Sequence, residues 1–123
     1  MSFMAFFDGA TTPWRADPAV LTSAIRDRWD EVEVDPRHRS EVCAYSWAFR
    51  AGEGLVDVFF AEDGTGLYVD ATLPDAAEVA CLLRRFVPED VALVFCDQGY
   101  SFDVWISPGS TVADLIRAAN AQA

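Results

Sequence analysis

Carboxylates are the side chains of this protein with the widest capacity for chemistry. Twenty Asp and Glu stand against nine Arg, no Lys and a single His, so the net charge is -11 over 123 residues. Two of these acids, Asp57 and Asp70, are of the type that act as general acid and base when they are paired, as in glycosidases. With twenty acids, such pairs also arise by chance, and nothing in the sequence raises one pair above the rest.

Other sequence patterns of catalysis and cofactor binding are incomplete. His38 lies between Arg37 and Arg39, where a solvated loop residue is a simpler interpretation than a general base, and one His cannot form a multi-His metal site. The run EDGTG at 62–66 lacks the lysine and the following helix of a phosphate-binding loop, and it is too short for a calcium loop. We therefore predict a protein that is not an enzyme and has no cofactor and no metal. An unrecognised enzymatic or small-molecule site is the alternative.

The three cysteines indicate a reducing compartment. Cys43, Cys81 and Cys96 form no CxxC pair, and each lies in an apolar segment, where a free thiol behaves as a small buried hydrophobe. The N-terminal run MSFMAFFDGA lacks the basic region of a signal peptide, and no stretch approaches the roughly 20 apolar residues that span a bilayer. These features predict a cytoplasmic location.

Charge and composition together define the class of partner. Hydrophobic residues make up 52% of the chain, with nine Phe and four Trp, so the chain has the means to form a core that a disordered acidic tail lacks. A strongly negative field attracts basic proteins and repels nucleic acid and anionic membranes. We predict a basic protein partner, no nucleic acid and no membrane. The alternative is that the charge serves solubility alone.

Hydrophobic periodicity predicts an N-terminal arm or short strand at 1–16, followed by a single α+β domain at 17–123. Asp17 followed by Pro18 is typical of a helix start, and Thr111 with Asp114 approximates a capping box. The order α-βββ-α-ββ-α, with connections of hairpin length, predicts a mainly antiparallel five-stranded sheet. Helices are predicted at 18–30, 74–87 and 111–120, and strands at 41–49, 55–61, 67–73, 91–96 and 102–106.

Three of the predicted strands have one purely apolar face and one face that mixes aromatic rings with acids. If these strands are neighbours, the mixed positions share one face of the sheet, where aromatics would bind a partner and acids would attract Lys or Arg. The alternative is that a helix covers this face. The predicted partner-binding residues are Asp57, Phe59, Tyr68, Asp70, Asp103 and Trp105.

Two family resemblances extend this interpretation. The element order over roughly 18–120, the length and the acidity resemble class I type III secretion chaperones, which implies a homodimer that binds a leader segment of another protein. The segment from Val87 to Leu115, with FCDQGYSFDV and then PGST, is similar to small acidic bacterial immunity proteins. That resemblance implies a compact cytosolic inhibitor that blocks a toxin domain. We predict an immunity-type inhibitor of a basic partner, with the chaperone-like homodimer as an alternative.

Overall fold

The fold is one antiparallel sheet with helices packed on one face. The computed structural model describes residues 2–36 and 43–122, so His38 lies outside the described residues. Within the described ranges the sheet has seven strands, ordered β2-β3-β4-β5-β1-β6-β7. The elements are β1 Ser2–Phe6, α1 Pro18–Arg28, β2 Glu33–Asp35, β3 Cys43–Ala51, β4 Gly54–Ala61, β5 Gly66–Asp70, α2 Leu73–Arg84, β6 Val94–Asp97, β7 Asp103–Trp105 and α3 Val112–Gln122.

The N-terminal strand lies in the middle of the sheet. β1 pairs antiparallel with β5 on one side, through Phe3 and Val69, and with β6 on the other, through Ala5 and Phe95. Of the two alternatives for this segment, a strand is therefore what Ser2–Phe6 forms. The remaining strands pair as successive hairpins, except that α2 separates β5 from β6.

The core lies between the sheet and the helices. Trp47 of β3 is 1% exposed and donates its indole N–H to Thr22 Oγ1 of α1 at 2.8 Å, and Trp29 stacks on Phe49 with ring centroids 4.3 Å apart. Phe3 and Phe95 stack in the same layer at 5.7 Å. The buried side chains on one face of the sheet form a single core cluster with buried side chains of α1, α2 and α3. The three described helices therefore pack on that one face of the sheet.

Local sequence signals set the ends of the helices. Asp17 Oδ1 accepts the backbone N–H of Ala19 at 2.9 Å, which confirms the predicted start of α1. The capping box is also confirmed, because Asp114 N–H donates to Thr111 Oγ1 at 3.1 Å and Thr111 N–H donates to Asp114 Oδ2 at 3.0 Å. α2 ends at Arg84, so Phe86, which the periodicity places on its apolar face, lies beyond the helix and is 36% exposed.

The predicted α+β class is confirmed, and the predicted count of five strands is wrong. The sheet of the described residues has seven strands, and the two that the predicted count lacks are β1 and β2. The order of the elements is β-α-ββββ-α-ββ-α. β2 has only three residues, two of them acidic, so no run of alternating apolar residues marks it. The third predicted strand ends early, at Asp70, because Thr72 is the N-cap of α2.

Candidate functional site

The face of the sheet opposite the three helices is the candidate functional site, and we call it the open face. Its side chains lie in rows across the strands, because residues that pair across an antiparallel ladder point to the same side. The pairing gives four rows, which are Glu33, Ala48, Asp57, Asp70 and Ser2; Asp35, Ser46, Phe59, Tyr68, Met4, Cys96 and Asp103; Gly66, Phe6, Val94 and Trp105; and Arg50 and Leu55.

The first row is acidic. Asp57 and Asp70 stand directly opposite each other on β4 and β5, and both are exposed. Side chains in this relation have Cβ atoms about 5 Å apart. Glu33 continues the row beyond Ala48 at the β2 edge. This row concentrates negative charge along one side of the open face.

The second and third rows carry the aromatic and apolar residues. Phe59 and Tyr68 pair across β4 and β5, and Met4 of β1 follows Tyr68 in the same row. In the next row, Phe6 is separated from Trp105 only by Val94. Trp105 is 68% exposed, a large fraction for a residue type that is usually well buried. Exposed aromatic residues beside acids are typical of protein-binding surfaces.

Charge is divided between the two layers of the fold. The residues of the three helices include four arginines and four acids, so the helices are neutral as a set. The strands include six acids against one cation, Arg50, and five of those acids lie on the open face together with Arg50. The negative charge carried by the regular elements therefore belongs to the sheet and its open face.

Among the cavities of the open face, two lie side by side and share Met4 and Tyr68, and a further one of 260 Å³ lies at the edge formed by Glu33, Arg50 and Leu55. The first has a volume of 170 Å³ and the second a volume of 120 Å³. Sites for drug-sized ligands span about 300–1,000 Å³, so each cavity is suited to one side chain of a partner. The first is lined by Met4, Phe6, Ala61, Thr65, Gly66, Leu67, Tyr68 and Tyr100, and the second by Ser2, Phe3, Met4, Phe59, Tyr68, Val69, Asp70 and Gln98.

Hydrogen bonds hold the loop between β6 and β7, and Tyr100 of this loop borders the first cavity. Asp97 accepts the N–H of Ser101 at 2.7 Å and its hydroxyl, and this hydroxyl bond is the main reason that the pKa of Asp97 is lowered. Gln98 N–H donates to Ser2 O at 3.0 Å, which ties the loop to β1. Tyr100 has φ +54° and is 64% exposed. A left-handed non-glycine residue at such a site is held by its surroundings.

The structure places all six sequence-predicted residues on the open face. Asp57, Phe59, Tyr68 and Asp70 lie on neighbouring strands. Asp103 and Trp105 lie on β7, which β1 and β6 separate from β5, so the assumption that these three strands are neighbours holds for β4 and β5 only. The alternative of a covering helix does not hold, because the three described helices pack on the other face.

Sequence reasoning missed the contributions of β1 and of the β6–β7 loop. Met4 and Phe6 lie at the centre of the open face, between β5 and β6. A signal for them was present, because Phe3, Ala5 and Phe7 alternate with Met4 and Phe6, and a strand that is apolar on both sides is typical of a central position. Tyr100 had no such signal, since only the pairing of β6 with β1 brings its loop to this face.

The thiols and carboxylates of the described ranges form no metal-binding cluster. No group of three or more His, Cys, Asp or Glu is arranged to hold a metal ion among those residues. Cys96 is fully buried, and burial is the main cause that raises its pKa to about 11. Burial also raises the pKa of the Cys81 thiol. Both groups are therefore protonated and weakly nucleophilic at neutral pH.

Comparison of the chain with protein-family models, with curated proteins and with solved structures finds no match. Within the described residues, no helix has the length and apolar character needed to cross a bilayer.

Proposed function

We propose that this protein is a non-enzymatic, acidic protein-binding domain of the immunity-inhibitor type, which binds a basic partner with the open face of its sheet and blocks it. One observation carries the proposal: the aromatic and acidic side chains that bind and attract a cationic protein surface share one face, which no described helix covers. Aromatic residues dominate binding energy, and the charge steers association.

The charge of the open face favours a basic partner over a second copy of the chain. A two-fold contact that places this row over the same row of the other copy would set Glu33, Asp57 and Asp70 against acids. Like charges in an interface cost several kcal/mol, of order of the whole gain from a small interface. The chaperone-like homodimer is therefore the alternative that the charge pattern disfavours.

Site-specific photocrosslinking in the source cells tests the proposal. A photoreactive amino acid replaces Trp105 or Leu55, both of which are exposed on the open face. In the control it replaces Ala113, which is exposed on α3 in the helical layer. We expect the same basic protein to be crosslinked from both open-face positions and not from Ala113. Crosslinks between copies of this chain would support the homodimer, and equal capture from Ala113 would exclude the open face as the docking surface.

A further inference from the structure

Resting on the proposed function, we infer that the 170 Å³ cavity on the open face is a socket for one arginine side chain of the basic partner. We call this cavity the arginine socket. The arginine socket is a specific subsite within the general docking face.

The recess of the socket arises where the sheet has the least side-chain volume. Gly66 has no side chain, and Phe6 lies opposite it on β1. A Cβ atom at Gly66 would lie 2.8 Å from Phe6 Cα, closer than real Cβ atoms approach backbone, and it would also collide with the carbonyl oxygen of Ala5. Ala61 is the other small residue of the lining. The close approach of β1 to β5 therefore requires glycine at this point of the cavity lining.

The walls of the socket are aromatic. Phe6 and Tyr68 contribute from the sheet, and Tyr100 contributes from the fastened β6–β7 loop. The planar guanidinium of arginine stacks on aromatic faces, while its aliphatic stem packs against apolar side chains such as Met4. Lysine has a compact, strongly hydrated charge that stacks less well in a partly enclosed aromatic site.

Charge complementarity selects a cationic side chain over an apolar one. Asp103 lies in the same row as Met4, two strand spacings away, which is about 10 Å. Asp57 lies in the adjacent row, and the whole chain carries a net charge of -11. At this distance each single carboxylate is largely screened at physiological salt, so the preference for a cation comes from the summed acids of the open face and from the aromatic walls. Arginine is also one of the residues that most often dominate binding energy at protein interfaces.

Methionine-methyl NMR tests the socket without knowledge of the partner. The chain has two Met residues, so ¹³C-methyl labelling gives two signals, and Met4→Leu assigns the one from the socket wall. The probes are blocked single amino acids, N-acetyl-arginine methylamide compared with its lysine and phenylalanine counterparts. We expect the Met4 signal to shift saturably with the arginine probe, at about fivefold lower concentration than with the lysine probe.

Two variants locate the binding. Tyr100→Asn removes one aromatic wall with a residue that tolerates positive φ, and it should weaken the arginine probe about fivefold. Leu55→Asn removes an equally exposed apolar residue of the open side that does not line the socket, and it should leave the affinity unchanged. Equal or tighter binding of the phenylalanine or lysine probe, no shift of Met4, or equal loss in both variants would overturn the arginine socket.

The outcome separates this inference from the proposed function. If the probe binds as expected but no basic protein is crosslinked from Trp105 and Leu55, the socket stands and the inhibitor role fails. If a basic protein is crosslinked there but the chemical shift of the Met4 methyl signal does not change with the arginine probe, the result supports the docking face and contradicts the arginine socket.

Discussion

At the scale of single residues, the most constrained side chain is Arg84, a buried cation held by backbone carbonyls. It is 6% exposed, and its two terminal nitrogens donate to carbonyl oxygens of Val87, Pro88, Val91 and Ile106. Burial lowers its pKa from the usual value, but arginine remains charged in proteins. The side chain thus links the end of α2, the turn that follows it and the segment after β7.

Replacing Arg84 with Leu should destabilise the protein by about 3–5 kcal/mol, because several buried carbonyl groups lose their donors together. Urea unfolding followed by Trp fluorescence measures the loss. Arg85→Leu is the matched control, since Arg85 is exposed and surface changes stay within about 0.5 kcal/mol. Similar unfolding free energies for the two variants would contradict the role assigned to the Arg84 hydrogen bonds.

Asp75 gives a pH dependence whose sign is opposite to that of Asp63, Asp97 and Asp114, whose pKa values are lowered by hydrogen bonds. It is buried in the first turn of α2, where its Oδ2 accepts the N–H of Glu53, and burial raises its pKa. Because the folded state binds this proton more tightly than the unfolded state, its contribution to stability is fully present below the unfolded pKa of about 3.9. That contribution is lost as the pH rises through the raised folded pKa.

The unfolding free energy of the wild type minus that of Asp75→Asn should therefore decrease as the pH rises from about 4 to 7. Urea melts across this range measure it. Asp114→Asn is the control of opposite sign, because hydrogen bonds from Thr111 lower the pKa of Asp114 and its contribution is lost as the pH falls below about 4, so the melts of this pair extend to about pH 2. Parallel pH profiles for the two differences would show that burial does not govern Asp75.

At the scale of elements, α3 protects the edge of the sheet. The side-chain amide of Gln122 accepts the N–H of Asp103 at 2.9 Å and donates to its carbonyl at 2.7 Å, as a neighbouring strand would. An unprotected edge strand is a template for pairing with another chain. This contact occupies the outward backbone groups of Asp103 on the β7 edge.

Gln122→Ala should release the backbone of Asp103 to water, with a loss of about 1–2 kcal/mol for two partly exposed hydrogen bonds. Amide hydrogen exchange by NMR reads this directly, and we expect faster exchange at Asp103. Asn120→Ala, an exposed change on the same helix, serves as the control. Unchanged protection of the Asp103 amide would show that Gln122 does not close the edge.

An aromatic residue follows the end of α1 and another follows the end of α2, and the two differ in burial. Trp29 is 7% exposed and stacks on Phe49, whereas Phe86 is 36% exposed at the groove between the two helices. Trp29→Ala should cost about 3–5 kcal/mol by leaving a cavity. Phe86→Ala should cost about 1 kcal/mol, because much of its surface is already in water. Chemical denaturation of both variants under one buffer is decisive, and losses of equal size would contradict the placement of Phe86.

Elements with strong local signals could be predicted from the sequence, and those set by long-range pairing could not. Asp17 and the Thr111–Asp114 box mark helix starts through hydrogen bonds within three residues. β1 has a period-two pattern, but its central position depends on pairing with residues 60 or more positions away. The open face was predicted from alternation in the strands that became β4, β5 and β7. The position of Met4 and Phe6 at the centre of the open face was not predicted, because local periodicity does not determine the order of strands in a sheet.

At the scale of the whole molecule, the separation of charge between layers is what gives the acidity a direction. The helices are neutral as a set, while the strands carry six acids and one arginine. The strands contribute -5 of the net charge of -11, and the field of their exposed acids steers a cationic partner towards the open face; its effect appears in the association rate and falls with salt. The central claim of this account is that the open face, and not the overall charge, binds the partner.

The association rate of the basic protein captured from Trp105 tests that claim most directly. Asp57→Lys with Asp103→Lys reverses two acids of the open face, and Asp27→Lys with Asp90→Lys makes the same change in net charge at exposed acids outside it. At low salt we predict that the open-face variant associates about tenfold more slowly, while the control differs little and high salt narrows the gap. Equal slowing in both variants would show that net charge alone governs binding and would contradict the assignment of the open face.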